Sequence, residues 1–514
     1  MNAGGIKDIR LSQQSTEIDI GLQSNYWGEG NYLFIPGYME LKDVRVKVQY
    51  ESDSERNALI SSIVLDNIAL PKAENMILES LEESCHSVTY DGKSLEFRIM
   101  QGSLLPSMWI DTTEGMKWVQ EDKHNSTSGK VRLYSAEGKL QYTGELQSLK
   151  GRGNSSWDMP KKSYGIKLAS SFPLLGMSSG KSWVLIGSGA DTTGLRNKLF
   201  LDMALECGLD NTIEGELIDL YIDGEYCGFY LLSEKITIAS GRLEIGDLEE
   251  KTQLLNEESL ETYPYYVFEE NEKLWTGYSV PHQPENRSGG YLLEIEEYQS
   301  RFASEPIRFL TDNEHGVVVK EPEHATLAQV EYISEFIQDF EDALYADDGY
   351  NAEGISYLEY IDLESFATRY LVDEISKNVD AGFSSYFFYK PRDENRLYAG
   401  PVWDYDTALG NNRDWGDTSI MQNPQGMYAN ASNWSKQLWE KTEFREATRE
   451  IYQKRFNKYL EKLLEEQWED IIHTVKASAS MDQTYYDNEG WEEEVYQMKE
   501  FLQKRKDFLS EELR

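Results

Sequence analysis

The sequence predicts an α+β protein with a β-rich beginning, a middle of mixed strands and helices, and a helical C-terminal lobe. Three observations carry this. Short apolar runs separated by polar breaks recur from the start as far as LLSEK at 231–235. Several later segments repeat apolar residues at helical spacing, and from about 434 the chain is charged and helical in pattern to its end.

Residues 1–103 contain YLFIP, VRVKVQY, SIVLD and LEFRIM, short runs that suit a small β-rich N-terminal domain of unassigned role. The second domain is expected over 104–514. It opens with LLPSMWIDT and continues through KVRLYSAEGKLQYTGELQSLKGRGNSSW, strands leading into a Gly/Ser/Asn-rich loop. LIDLYIDGEYCGFYLLSEK predicts a hairpin whose turn, Asp223-Gly224, uses residues that tolerate positive φ. Leu195, Leu199, Met203 and Cys207 predict a helix. Further helices follow over 327–344, 363–375 and 451–468, and the helical tail over about 434–514 places Val495, Met498, Leu502 and Leu509 on one face. The acidic stretch 247–288 reads as a long, partly mobile insertion. Around the turn PRDEN, the runs 385–390 and 397–403 predict a second hairpin.

Composition removes several classes of function. The 514 residues carry 50 Lys and Arg against 91 Asp and Glu, a formal charge of −41, which repels nucleic-acid backbones. The 33 Tyr, 18 Phe and 12 Trp supply too much apolar surface for a disordered chain. No apolar run is long enough to span a membrane. The opening MNAGGIKDIRLSQQ has no apolar signal-peptide core, which suits an intracellular N-terminus or a trimmed one, and the composition also suits an exported or cell-surface bacterial protein whose leader has been removed. Three distant cysteines, Cys85, Cys207 and Cys227, set no disulfide framework, and the six histidines form no zinc motif. A carbohydrate site is disfavoured because a neutral glycan has no use for the basic island described next.

That island is Lys150-Gly151-Arg152-Gly153-Asn154-Ser155-Ser156-Trp157 followed by Pro160-Lys161-Lys162-Ser163-Tyr164-Gly165-Ile166-Lys167-Leu168. Glycines let backbone N–H groups approach phosphate oxygens, and Lys and Arg neutralise them. A hairpin with a solvated lysine face fits the same residues. Arg196, in Thr193-Gly194-Leu195-Arg196-Asn197-Lys198, opens a helix where anions are favoured, or else ties that helix to a neighbouring loop.

The sharpest pattern is Asn378-Val379-Asp380, then SSYFFYKPRDENRLYAGPVW, then Asp404-Tyr405-Asp406. A hairpin returns to its start, so Asp380 and Asp404 are expected side by side. In an extended DYD, Asp404 and Asp406 share a face. Convergent carboxylates form an oxygen site for Mg²⁺ or Mn²⁺. The order of parts, phosphate loop, Asp after a helix, hairpin, metal Asp, is also that of protein kinases.

Finer motifs sharpen the comparison. LKGRGNSSWDMPKKSYGIKL, WVLIGSGADTTGLRNKLFLDMA, LYIDGEYCGFYLLSEKI, GGYLLEIE and DEISKNVD…GPVWDYDTALG occur in the order of the CotH (spore-coat protein H) family of atypical kinase-like proteins. The chain resembles that family over roughly 104–510. The resemblance implies a divergent protein-kinase-like core that binds ATP with Mg²⁺ or Mn²⁺ and phosphorylates Ser/Thr of a protein substrate. It implies that Asp380 is the catalytic aspartate and that Asp404 or Asp406 holds metal. Arg152, Lys161, Lys162 and Lys167 then fall on the nucleotide side, with Lys167 the first choice for the phosphate lysine and Lys162 its competitor. Glu234, in LLSEKI, would orient that lysine, or is an ordinary strand-end Glu. One departure stands out: Ser385 occupies a position where the family tends to carry Asn. That leaves open one-metal chemistry, a different metal preference, or a degraded kinase that binds without transferring. The rival readings are a non-catalytic surface or coat-assembly scaffold and a nucleotide-dependent transferase of another group such as AMP.

Overall fold

The computed structural model describes residues 6–13, 18–40, 44–50, 64–65, 68–69, 76–78, 85–90, 93–270, 273–412, 419–431 and 433–514. Seven strands close into a barrel in the order Ser107–Thr112, Ser126–Tyr134, Leu140–Arg152, Ser163–Phe172, Gly180–Ile186, Glu225–Glu234 and Gly215–Ile222. The last pairs parallel with the first, so the barrel leaves no open edge. Alternation fills its interior: Ile110, Val131, Leu149, Ile166, Leu185 and Leu220 are all nearly inaccessible to solvent. The predicted hairpin forms around Asp223 (φ 53°) and Gly224 (φ 82°), a turn whose positive φ values favour these residues.

A second sheet of seven strands runs in the order Tyr265–Glu270, Lys273–Tyr278, Arg308–Leu310, Gly316–Glu321, Tyr291–Ile295, Tyr386–Lys390 and Tyr398–Ala399. Its buried side chains share one core with the helices Arg196–Glu206, Leu327–Tyr345 and Leu363–Ser376 and with the C-terminal helices. Leu327–Tyr345 starts on a capping box, Thr326 with Gln329. Asp362 caps Leu363–Ser376 by accepting from the Ser365 amide, and Lys377 ends that helix in a left-handed conformation (φ 46°). The chain is thereby turned directly into the loop that carries Asp380.

The architecture is α+β with a helical C-terminal end. Thr442–Ile451 continues through two π-helical turns, Tyr452–Phe456 and Leu463–Gln467, into Trp468–Tyr486, and Trp491–Glu512 completes the chain's helical end. The described residues between 6 and 101 are largely strands that pair in two sheets, and several lie in one core with Trp109, Tyr221, Tyr226 and Met481. They share that core with the barrel and the helix Trp468–Tyr486.

Two expectations need correction. The stretch 247–288, expected as a long, partly mobile insertion, is built into the fold: Asp247 caps the helix Leu248–Leu255, and Tyr265–Glu270 and Lys273–Tyr278 extend the second sheet. A capping Asp and a β-rich YYVF run outweigh the acidic composition. The second arm of the 385–403 hairpin is only Tyr398–Ala399, because Gly400-Pro401 interrupts the ladder.

Candidate active site

A cleft of about 410 Å³ separates the barrel from the second sheet. Arg152, Gly153, Asn154 and Ser156 line it from the Gly-rich loop, Ser188–Ala190 from the turn after Gly180–Ile186, and Lys235 and Ile236 from the crossover. The opposite wall carries Glu294, Glu296, Arg301, Lys320, Asp380, Ser384, Ser385, Asp404 and Asp406. Val184, Ile186, Ile236, Leu292 and Phe387 add apolar surface at the same opening. Gly153 (φ +96°) is needed in the loop, since a Cβ there would meet the Ser156 hydroxyl at 2.1 Å.

Asp380 follows the left-handed Lys377, and its backbone carbonyl accepts from the Phe383 and Ser384 amides, which folds 380–384 into a tight turn. Its Oδ1 accepts a hydrogen bond from the Tyr298 hydroxyl at 2.8 Å. Ser384 donates to Glu296 at 2.7 Å, and Arg301 donates to Ser384 at 3.1 Å. Ser385 donates to Asp404 Oδ2 at 3.3 Å.

The Asp404-Tyr405-Asp406 loop is held from three sides. Asn378 donates to the Asp404 carbonyl at 2.8 Å, the Tyr405 amide donates to Asn197 at 2.8 Å, and the Tyr405 hydroxyl donates to Asp373 at 2.7 Å. Ser188 (φ 50°), Ser385 (φ 53°) and Asp404 (φ 68°) all line the cleft in left-handed conformations, each costing on the order of 1–2 kcal/mol for a non-glycine residue. The hydrogen bonds around them offset that strain.

The electrostatics are those of crowded carboxylates. Burial and then the neighbouring Asp380 push the Asp404 carboxyl up, against Arg152 and Arg301, which pull it back. Burial followed by Asp404, Asp191 and Asp380 pushes Asp406 up further, with Arg196 opposing. Burial raises Glu294 to about 7 even though Lys320 lies 3.2 Å away. Arg152, its guanidinium 4.8 Å above the Trp403 ring, is lowered by burial and sustained by Asp404. Among the described residues no three His, Cys, Asp or Glu side chains form a ready metal site. The cleft therefore offers a pair of carboxylates on one loop, with a third facing it, and two arginines beside them.

The structure brings Asp380, Asp404, Asp406 and Arg152 together. It does not bring the other predicted residues to the cleft. Lys161 is buried in an ion pair with Asp482 at 2.8 Å and packs against Tyr230 and Tyr486. Lys162 donates to the Trp157 and Met159 carbonyls at 2.6 and 3.2 Å and so staples its own loop. Lys167 is exposed on the outer face of the barrel, because Tyr164, Ile166 and Leu168 on the same strand point inward. Arg196 is enclosed by Asp191, the Ala408 carbonyl at 2.9 Å and Glu494, so it ties its helix to the Asp404 loop. Glu234 sits at a separate small cavity beside Glu214 and Arg242, and accepts from the Glu214 amide at 3.2 Å.

Sequence reasoning missed Arg301, Tyr298, Glu296, Lys235 and Lys320. Glu296 and Ser188–Ala190 lie in the GGYLLEIE and WVLIGSGAD motifs, which gave a signal without a role. Tyr298 and Arg301 follow in a polar stretch with no pattern of their own.

The cleft thus belongs to a class of protein that gathers an aspartate loop, a DYD loop and a glycine-rich basic loop between a β-barrel and a helical lobe. Residues 149–509 match the family described as CotH kinase protein, well over half of the chain, and the chain belongs to that family. The match opens inside the strand Leu140–Arg152, later than the sequence resemblance suggested, so the first barrel strands precede it. Among curated proteins no match is found.

Proposed function

We propose that this protein is an ATP- and divalent-metal-dependent phosphotransferase acting on Ser/Thr of a protein substrate. The observation that carries the reading is the single cleft that holds Asp380, Asp404, Asp406 and Arg152. Val184, Ile186, Ile236, Leu292 and Phe387 suit a flat base. Gly153–Ser156 and Arg152 on one side and Arg301 on the other suit phosphate oxygens.

Mg²⁺ or Mn²⁺ fits the donor set. Asp404 and Asp406 are carboxylates whose burial and mutual repulsion lack full compensation, and Mg²⁺ is usually held by one or two carboxylates with substrate phosphates completing its shell. The metal, when bound, neutralises phosphate charge. Asp404 and Asp406 hold that position, with the alternatives between them open. Arg152 and Arg301 balance negative charge as it moves in the transition state. Asp380 Oδ1 is fixed by Tyr298, while Oδ2 has no hydrogen bond among the described residues. Oδ2 takes the proton of the acceptor hydroxyl as that oxygen bonds to the γ-phosphorus and the β–γ bridging oxygen leaves on ADP.

The test is transfer from γ-labelled and α-labelled ATP in Mn²⁺. Label from the γ position alone, lost by at least about 100-fold in Asp380→Ala while ATP still raises the melting midpoint, supports the reading. Label from the α position would move it to nucleotidyl transfer. Ser385 in place of an amide specifically favours the scaffold reading, which expects no label from either.

A further inference from the structure

Resting on the phosphotransferase reading, we propose that Tyr298 is the positioning residue for the catalytic carboxylate: its hydroxyl fixes one oxygen of Asp380 so that the other faces the acceptor. Tyr298 ends the strap that leaves the strand Tyr291–Ile295 and enters the helix Gln299–Ser304. This strap lies against the Asp380 loop at several points. The Glu297 amide donates to the Phe383 carbonyl at 2.7 Å, Ser384 donates to Glu296 at 2.7 Å, and Arg301 donates to Ser384 at 3.1 Å. The Tyr298 ring is fixed too: its amide donates to Glu296 at 2.9 Å, and the Arg301 guanidinium lies 4.9 Å over its face.

The geometry at Asp380 needs such a clamp. A carboxylate carried on a loop rotates about its side-chain torsions, and Asp380 has one side-chain hydrogen bond among the described residues, the 2.8 Å contact from Tyr298. The two oxygens are thus made unequal, Oδ1 engaged and Oδ2 available. Asp404 repels the carboxylate from the metal side, so without the clamp Asp380 would swing from its productive position. A misplacement of about 1 Å in such a group costs on the order of 100-fold in rate. Burial and then Asp380 itself push the Tyr298 hydroxyl well above the ordinary tyrosine range, so it stays a donor at any working pH.

Tyr298 is 37% exposed, so removing its hydroxyl opens no cavity and Tyr298→Phe keeps the fold. The experiment compares wild type, Tyr298→Phe and Asp380→Ala for Mn²⁺–ATP hydrolysis, with water as acceptor, and for the melting midpoint with and without Mn²⁺–ATP. The expected result is a kcat about 10–100-fold lower in Tyr298→Phe, with the KM for ATP and the Mn²⁺–ATP thermal shift within twofold of wild type. A kcat within twofold of wild type, alongside an inactive Asp380→Ala, overturns the positioning role and leaves the phosphotransferase reading intact. A lower kcat accompanied by a lower midpoint without ligand and a raised KM assigns Tyr298 to structure and also overturns it. Wild-type protein that neither hydrolyses Mn²⁺–ATP nor transfers its γ-phosphate to protein overturns both readings.

Discussion

Replacing Asp404 or Asp406 by Asn should make the metal-free protein more stable and the ligand-bound protein less so. Both carboxyls are raised by burial and by their acidic neighbours, so the folded protein holds their protons above the ordinary carboxylate value of 3.8, where the unfolded chain releases them. In that window the folded state binds more protons than the unfolded state. The stabilising contribution is complete below the unfolded value and is lost as pH rises through the folded one. Each unit of displacement corresponds to about 1.4 kcal/mol once both groups are ionised. No hydrogen bond to the Asp406 carboxylate exists among the described residues, so the amide breaks none. At 404 Asn also tolerates the left-handed φ of 68°. In EDTA at pH 7.5 each variant should melt about 1–3 °C above wild type, the small shift expected for a chain of this size. Mn²⁺–ATP at 100 times its dissociation constant should stabilise wild type by about 2.7 kcal/mol, and the variant that has lost the metal-holding carboxylate should lose most of that gain. Differential scanning fluorimetry across pH 5–8 reads both effects and decides between Asp404 and Asp406. Two variants that melt below wild type in EDTA, or that both keep the full Mn²⁺–ATP shift, would refute the reasoning.

Arg152→Ala should weaken ATP binding by about 10-fold or more in a calorimetric titration, while Lys167→Ala should leave it within twofold, because Arg152 lines the cleft and Lys167 lies exposed on the outer face of the barrel. Arg505→Met should cost about 3–5 kcal/mol in urea unfolding, since Arg505 is fully buried against Glu374 and donates to the Glu374, Pro424 and Gly426 carbonyls at 3.0, 3.0 and 2.8 Å. The same change should lower turnover, because Glu374 sits on the helix that leads into the Asp380 loop and Pro424 and Gly426 belong to the segment that follows the Asp404 loop.

The sequence by itself determined the parts list. Short apolar runs predicted strands that the barrel uses, Asp223-Gly224 predicted a hairpin, and helical spacing predicted helices over 195–207, 327–344 and 363–375, because these signals act between residues a few positions apart. Asp380, Asp404 and Asp406 were legible for a related reason: a hairpin must return its chain. The face of Lys167 was legible too, since Ile166 and Leu168 beside it fill the barrel, yet the family pattern drew it toward the phosphates. Tertiary structure alone decided the partners of the cations. Lys161 meets Asp482 and Arg196 meets Glu494, each supplied by a C-terminal helix far along the chain, while Tyr298 reaches Asp380 and Arg301 reaches Ser384 from a strap with no motif. A long charged side chain spans several ångströms, and which carboxylate it meets depends on how distant helices pack. Local sequence carries no record of that packing.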